Sequence, residues 1–270
     1  MATYDLKGKY VLITGASSGI GKELSRCLAG AGANCVLHAI PDDKMILAAW
    51  AEELAKTYSV KTWSLVENFI DPEGPRRLYS EVMKIIPHLD VLVNNAGMIQ
   101  YGNFWEAPPD RLDALLRVNA GAYMALMRLF IPGMVARGEG RVFNVSSAAA
   151  FQPCPHHALY GAAKSMVQSL SEGVNQELKG TGVRITTLCP SYTDTPLLKV
   201  NGFPEKVWWY RISGLSAPAD IARKGVKALV KGKRVYIPGL INKFVHLVLN
   251  RITPRRLLDV IADFGLRSDE

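Results

Sequence analysis

Seven short runs rich in β-branched and aromatic residues alternate with longer segments whose apolar residues recur at helical spacing. The runs are KYVLITG (9–15), ANCVLHA (33–39), VKTWSLV (60–66), LDVLVNNAG (89–97), GRVFNVSS (140–147), VRITTLCP (183–190) and KRVYIP (233–238). Ile20, Leu24, Leu28 and Ala31 form one helical stripe, and Met166, Leu170, Val174 and Leu178 another. Near-continuous apolar strands must be covered on both faces. Parallel neighbours also need a crossover, which the intervening helix supplies. The pattern predicts an α/β fold, a doubly wound parallel seven-stranded sheet with helices on both faces. With 270 residues, 49% of them apolar, the chain can bury one well-packed core, and no repeat, low-complexity tract or composition break marks a second domain.

The four cysteines, Cys27, Cys35, Cys154 and Cys189, are scattered without C-x-x-C spacing and read as reduced thiols of a cytoplasmic protein. The N-terminus has no signal-peptide pattern, and no uninterrupted apolar window approaches a bilayer span. The net charge of +8 is concentrated late: Lys199 to Arg256 carries thirteen Lys and Arg against Glu205 and Asp220. Such a bias suits an anionic substrate or lipid surface, or a solvated face; with no nucleic-acid motif beside it, no nucleic acid is expected as partner.

Between the first strand and first helix lies TGASSGIGKEL (14–24), with Gly15, Gly19 and Gly21. A backbone that turns sharply, approaches a pyrophosphate and then packs a helix on a sheet needs glycine there, and the helix N-terminus offers free N–H groups. A bare turn competes as a reading of this stretch alone, since G-x-x-x-G-x-G differs from the commoner G-x-G-x-x-G; its position favours a dinucleotide cradle. At the end of the second strand an acid would hold a ribose 2′-hydroxyl and an arginine a 2′-phosphate, but the chain reads His38, Ala39, Ile40, Pro41. The missing carboxylate leans the expectation toward NADP, with Lys22, Ser17 or His38 as phosphate contacts, while Asp42 and Asp43 keep NAD open.

Together with Asn94-Asn95-Ala96-Gly97, Asn119, NVSS closing the fifth strand, Tyr160-x-x-x-Lys164 and CPSYTDTP (189–196), these features resemble the short-chain dehydrogenases/reductases over roughly residues 8–238. The resemblance implies a single Rossmann-type domain, NAD or NADP, hydride transfer between a carbonyl and a hydroxyl, and a homodimer or homotetramer. It implies cofactor contacts from Gly15, Ser17, Ser18, Gly19, Ile20, Gly21, Asn68, Phe69, Asn95, Ala96, Gly97, Tyr160, Lys164, Pro190, Thr193 and Thr195. It also assigns Asn119 to a water-linked proton relay, gives Lys164 a bond to the nicotinamide ribose, and selects Ser147 over Ser146 to polarise the substrate oxygen. Asn94 and Asn95 also suit a sheet-stabilising role. The chain departs from its relatives at Asn68 and Phe69, where they carry Asp and an aliphatic residue, and at Ser191, where they carry glycine.

The chemistry stands beside that resemblance. Reducing a ketone needs a proton donor at the developing alkoxide, and oxidising an alcohol needs the same group as base. A tyrosine titrates near 10, roughly two to three units too high. An ammonium about 4 Å away contributes on the order of 4 kcal/mol at an effective dielectric near 20. The i, i+4 spacing brings Lys164 and Tyr160 onto one helical face, so the expectation is that Lys164 lowers the Tyr160 pKa.

The segment 195–216 is an expected substrate lid within a catalytic domain of residues 1–238, with Leu197, Leu198, Phe203, Trp208, Trp209 and Tyr210 as apolar wall. Residues 97–106 and 150–158 complete the walls, and His156 and His157 read as solvent-facing loop residues rather than metal ligands. Residues 239–270 form an amphipathic basic extension: Ile241, Phe244, Val245, Val248 and Ile252 lie on one side, Lys243, His246 and Asn250 on the other. That stripe is expected to pack on its own domain or a partner subunit, with peripheral membrane contact as the alternative. The function expected is an NAD(P)-dependent oxidoreductase interconverting a secondary alcohol and a ketone on a mainly apolar molecule. The alternatives are a carrier-linked 3-oxoacyl-thioester reductase and a non-catalytic NAD(P) sensor.

Overall fold

The computed structural model describes residues 3–199, 203–204, 208 and 214–266. All seven expected strands form, as β1 (Tyr10–Thr14), β2 (Asn34–Ala39), β3 (Thr62–Val66), β4 (Val91–Asn94), β5 (Gly140–Val145), β6 (Val183–Leu188) and β7 (Val235–Tyr236). They pair in parallel in the order β3-β2-β1-β4-β5-β6-β7. Strand order reverses between β1 and β4, so a crevice opens there beyond the carboxyl ends.

Crossovers α1 (Gly19–Gly30), α2 (Lys44–Tyr58) and α3 (Gly74–Ile85) serve one half of the sheet; α4 (Pro109–Leu116), α5 (Ala122–Arg137), α6 (Ala158–Glu177) and α7 (Pro218–Val230) serve the other. Side chains alternate between faces along a strand, so Val11 and Ile13 enter one core with Leu24, Leu28, Trp50 and Ile221, while Leu12 enters the other with Leu78, Leu126 and Phe130. Both faces are covered, as continuous apolar strands require. In α6 the expected stripe is rotated: Leu170, Val174 and Leu178 pack on the second core, but Met166 is exposed and the buried face runs through Ala163, Lys164, Val167 and Ser171.

The helical stretch Pro109–Arg137 is long and apolar enough to cross a bilayer by length and composition, although Arg117 and Arg128 interrupt it in sequence. Half of its apolar window is buried, with Leu115, Tyr123, Leu126 and Phe130 inside, so it serves as a core helix. Past β7 the chain enters α8 (Leu240–Phe244), a π turn (Val245–Leu249), a last helical turn (Asn250–Ile252) and α9 (Arg255–Leu266).

Candidate active site

The first loop is shaped by close backbone approach. A Cβ on Gly21 would lie 2.0 Å from the Gly15 carbonyl oxygen, and one on Gly15 would lie 2.9 Å from Ala96 Cα, with Gly15 itself at φ +65°. Asn95 staples the loop to β4: its side-chain amide donates to Thr14 O (2.9 Å) and Gly15 O (3.0 Å). The Thr14 hydroxyl accepts from Asn95 N and Ala96 N. Asn94 is structural, donating to Asn144 Oδ1, whose own amide donates to Ser171. The first turn of α1 holds no acidic residue and Ser18 makes no side-chain cap, leaving its N–H groups to an anion.

A cavity of ≈ 740 Å³ runs from this cradle to Tyr160, a volume within the range of ligand sites. Gly15, Ser17, Ser18, Gly19, Ile20, Asn68, Phe69, Asn95, Ala96, Gly97, Ser147, Tyr160, Lys164, Pro190, Thr193 and Thr195 all border it. The cradle, the uncapped helix and the volume of this channel fit a dinucleotide. Two expected site residues do not border it. Gly21 lies beneath the loop because its place is against the Gly15 carbonyl. Asn119 is fully buried in a π turn (Arg117–Gly121), its side chain clamped to Met98 by Nδ2–H donating to Met98 O and Oδ1 accepting from Met98 N, both 2.8 Å. Both polar side-chain atoms of Asn119 are thus occupied in holding the loop after β4. Ser191 has no positive φ, so serine is accommodated where relatives carry glycine.

The three expected 2′-phosphate contacts are otherwise engaged. Lys22 lies over the Trp50 ring, 4.5 Å from its centroid, outside the cavity. The Ser17 hydroxyl donates to Asp43 Oδ2 (2.6 Å). His38 is buried and stacked on Phe69 at 4.4 Å, and burial lowers its pKa to about 4, so the ring is neutral. Besides Lys164, the described charged residues bordering the cavity are Asp43, Glu67 and Arg111, with Glu67 paired with Arg77 at 3.0 Å.

At the other end the two serines divide cleanly. Ser146 is buried and its hydroxyl donates to Lys164 O (2.8 Å). Ser147 borders the cavity together with Tyr160 and accepts from Ala149 N (3.1 Å). Tyr160 and Lys164 share one face of α6, as their spacing predicts, but the ammonium donates to Val145 O (2.9 Å) and the Tyr123 hydroxyl (3.4 Å) and lies 5.8 Å from the Tyr160 ring centroid. Burial pushes Tyr160 up to about 12, against which the neighbouring Ser147 hydroxyl works, and pulls Lys164 down to about 7. The expected lowering of Tyr160 by Lys164 is therefore absent: the same enclosure that brings the pair together disfavours charge on each. Tyr160 remains partly open to the cavity, so this is the desolvation of a cavity wall rather than of a sealed core.

The walls contain residues the sequence placed elsewhere. His157, read as solvent-facing, is buried beside Tyr160 (ring centroids 6.1 Å), Tyr101 and Phe203, its Nδ1 makes no hydrogen bond, and burial lowers its pKa to about 4. Its neighbour His156 takes φ +63°, and its Nε2 lies 3.3 Å from Asp263 Oδ1 of α9, so the loop after β5 and α9 meet there. Residues Val245, His246, Leu249, Asn250, Leu258 and Ile261 roof the cavity, and Asn250 Nδ2 donates to Phe151 O and Gln152 Oε1, both 3.3 Å. Of the lid, Leu197, Leu198, Phe203 and Trp208 border the cavity; Trp209 and Tyr210 lie outside the described residues. The lid's ends are pinned by a bridge between Thr193 and Ser216. One signal for the roof is present in sequence: His246 and Asn250 are polar positions one turn apart on the helix that lines the cavity.

The family model for short chain dehydrogenase matches residues 9–203. A ketoacyl reductase, HetN of Nostoc sp. (strain PCC 7120), is 30% identical over 230 residues, covering 83% of this chain and 76% of its own. A short-chain dehydrogenase from Sphingobium yanoikuyae, solved in complex with NADPH, superposes with a TM-score of 0.79 at 25% identity, covering 97% of this chain and 98% of its own. A bulky-bulky ketone specific alcohol dehydrogenase from Comamonas testosteroni superposes with a TM-score of 0.76 at 25% identity, covering 90% and 92%. With the cradle, the channel and the matched sequence in agreement, the chain belongs to the short chain dehydrogenase family and is an NAD(P)-dependent oxidoreductase.

Proposed function

We propose that the chain interconverts a secondary alcohol and a ketone on a mainly apolar molecule, with Tyr160 as acid/base and Ser147 as the hydroxyl that polarises the substrate oxygen. The observation that carries this reading is that Ser147 and Tyr160 border the same channel that begins at the glycine cradle, with the Ser147 hydroxyl acting to lower the Tyr160 pKa. A nicotinamide bound there supplies or accepts the hydride. The chain's own groups then do the remaining work. Tyr160, held as the neutral phenol, donates its proton to the substrate oxygen, and Ser147 adds a second hydrogen bond to the developing charge. Phe203, Trp208 and the roof side chains exclude water from that point. Lys164, fixed by Val145 and Tyr123, presents its amine to the channel, where a ribose hydroxyl would meet it.

The aromatic and aliphatic lining supports an apolar substrate, as does the likeness to an enzyme described as specific for bulky ketones. The test is a ranking of kcat/KM for bulky apolar ketones against ketoses, read as loss of reduced-cofactor absorbance. Apolar ketones are expected to lead by about tenfold or more, since each buried methylene adds about 0.8 kcal/mol; a ketose at the top overturns the reading. The basic residues Arg223, Lys224, Lys227, Lys231 and Lys233, taken with the ketoacyl reductase relative, support a second reading, in which an acidic carrier delivers a 3-oxoacyl chain. Turnover falling steeply with salt for a carrier-bound substrate, but not for a free ketone, would select it.

The acidic end of the channel sets a cofactor prediction. Asp43→Asn is expected to improve NADPH binding relative to NADH by about tenfold, because one like charge facing a 2′-phosphate is removed and 1.4 kcal/mol is a factor of about ten. Fluorescence titration of both reduced cofactors checks it, and an unchanged ratio would place the ribose 2′ position away from Asp43.

A further inference from the structure

The C-terminal roof is amphipathic in the reverse of the usual sense. His246 and Asn242 face inward, 2% and 6% exposed, while Leu240 and Ile252 are 87% and 72% exposed. Ile241, Phe244 and Val248 are exposed on the same outer side, so of the stripe expected to pack on its own domain or a partner, Val245 turns to the cavity and the other four residues lie exposed. The next helix continues the face: Leu257 and Val260, at i and i+3, point outward, Phe264 is exposed with its ring edge-on to Trp208 (5.2 Å), and Leu258, Ala262 and Gly265 line the cavity. A contiguous apolar surface of this kind marks an interaction site.

Charge decides between occupants. The outer face carries exposed Lys243, Arg255 and Arg256, against exposed Asp259 and the half-buried Asp263 among the described residues of α8 and α9. A two-fold contact would set this patch against its own copy, so like charges would meet. An anionic lipid surface complements it, and exposed aliphatic side chains flanked by basic residues suit the bilayer interface.

We propose that α8 through α9 seat the protein on an anionic membrane surface, with the roof of the substrate chamber against the lipid. An apolar substrate then reaches the chamber from the bilayer without passing through bulk water; this last consequence rests on the apolar-substrate reading above, whereas the docking does not.

The test is co-sedimentation of the full chain with phosphatidylcholine vesicles containing about one third phosphatidylserine, and with phosphatidylcholine alone. Binding to the anionic vesicles is expected, weakened about tenfold or more in Ile252→Asn/Val260→Asn and in Lys243→Glu/Arg256→Glu. Both double variants change outward-facing side chains, so their melting temperatures and their turnover of a soluble ketone are expected to match the parent. A parent chain that stays in the supernatant overturns the proposal. So does sedimentation equilibrium showing a dimer that Ile252→Asn/Val260→Asn dissociates, since a second copy then covers the face. Binding is read without turnover, so its failure leaves the oxidoreductase reading standing.

Discussion

Tyr160→Phe is expected to lower kcat for ketone reduction by about 10³-fold while leaving the dissociation constant of the reduced cofactor nearly unchanged. Phenylalanine keeps the ring beside His157 and its place on α6, and it removes one hydroxyl. That hydroxyl belongs to a residue that borders the cavity together with Ser147, so the loss falls on proton transfer rather than on packing. Ser147→Ala removes a hydrogen-bond donor to the developing oxyanion and is expected to cost about 10²-fold in kcat. Ser146→Ala behaves differently. Its hydroxyl serves Lys164 O in the buried interior, so it is expected to lower stability by about 1 kcal/mol with kcat largely retained. Steady-state kinetics beside urea denaturation separates the three, and a Ser146 variant that loses turnover while Ser147→Ala keeps it would reverse the assignment.

Acidification is expected to unfold the protein well before its carboxylates are titrated. His38, His157 and His246 are each buried, and desolvation lowers each to about 4 from an ordinary 6.5. Between those values the unfolded chain binds protons that the folded chain refuses, so stability falls as pH drops from about 6.5 toward 4. Each imidazole contributes on the order of 3 kcal/mol across that window, and three together approach the total stability of a typical domain. Urea midpoints measured from about pH 7.5 down to 4.5 should decline steeply, and His246→Phe, whose ring lies against Phe151, should flatten the decline. A midpoint that does not move with pH would show that these rings are protonated in the folded protein.

The strands and the cradle were legible in sequence because each depends on local geometry. β-branched runs between helical stripes can only be parallel strands covered on both faces, and Gly15 and Gly21 stand where a side chain would strike backbone. The strand ends were overextended for a reason also visible in the structure. Asn95, Ala96 and Gly97 leave β4 to hold the glycine loop, and β7 shrinks to Val235–Tyr236, an edge strand with β6 as its neighbour. Spacing placed Tyr160 and Lys164 on one face but could not report the enclosure that pushes the Tyr160 pKa the opposite way from the one expected and draws Lys164 down with it. Nor could it report the roof, whose contacts join residues far apart in the chain, such as Asn250 with Phe151 and Asp263 with His156. The enclosure of His157 escapes the sequence for the same reason: its burial comes from Tyr101 and Phe203, not from its sequence neighbours.

The central claim, that Tyr160 works as a neutral phenol giving its proton to a ketone, is tested most directly by the pH dependence of turnover in both directions. With Tyr160 held near 12, reduction of an apolar ketone should be nearly constant between about pH 7 and 9, whereas oxidation of the matching alcohol should climb about tenfold per unit as the tyrosinate fraction grows. An oxidation rate already level at about pH 7, or either rate surviving intact in Tyr160→Phe, would contradict it.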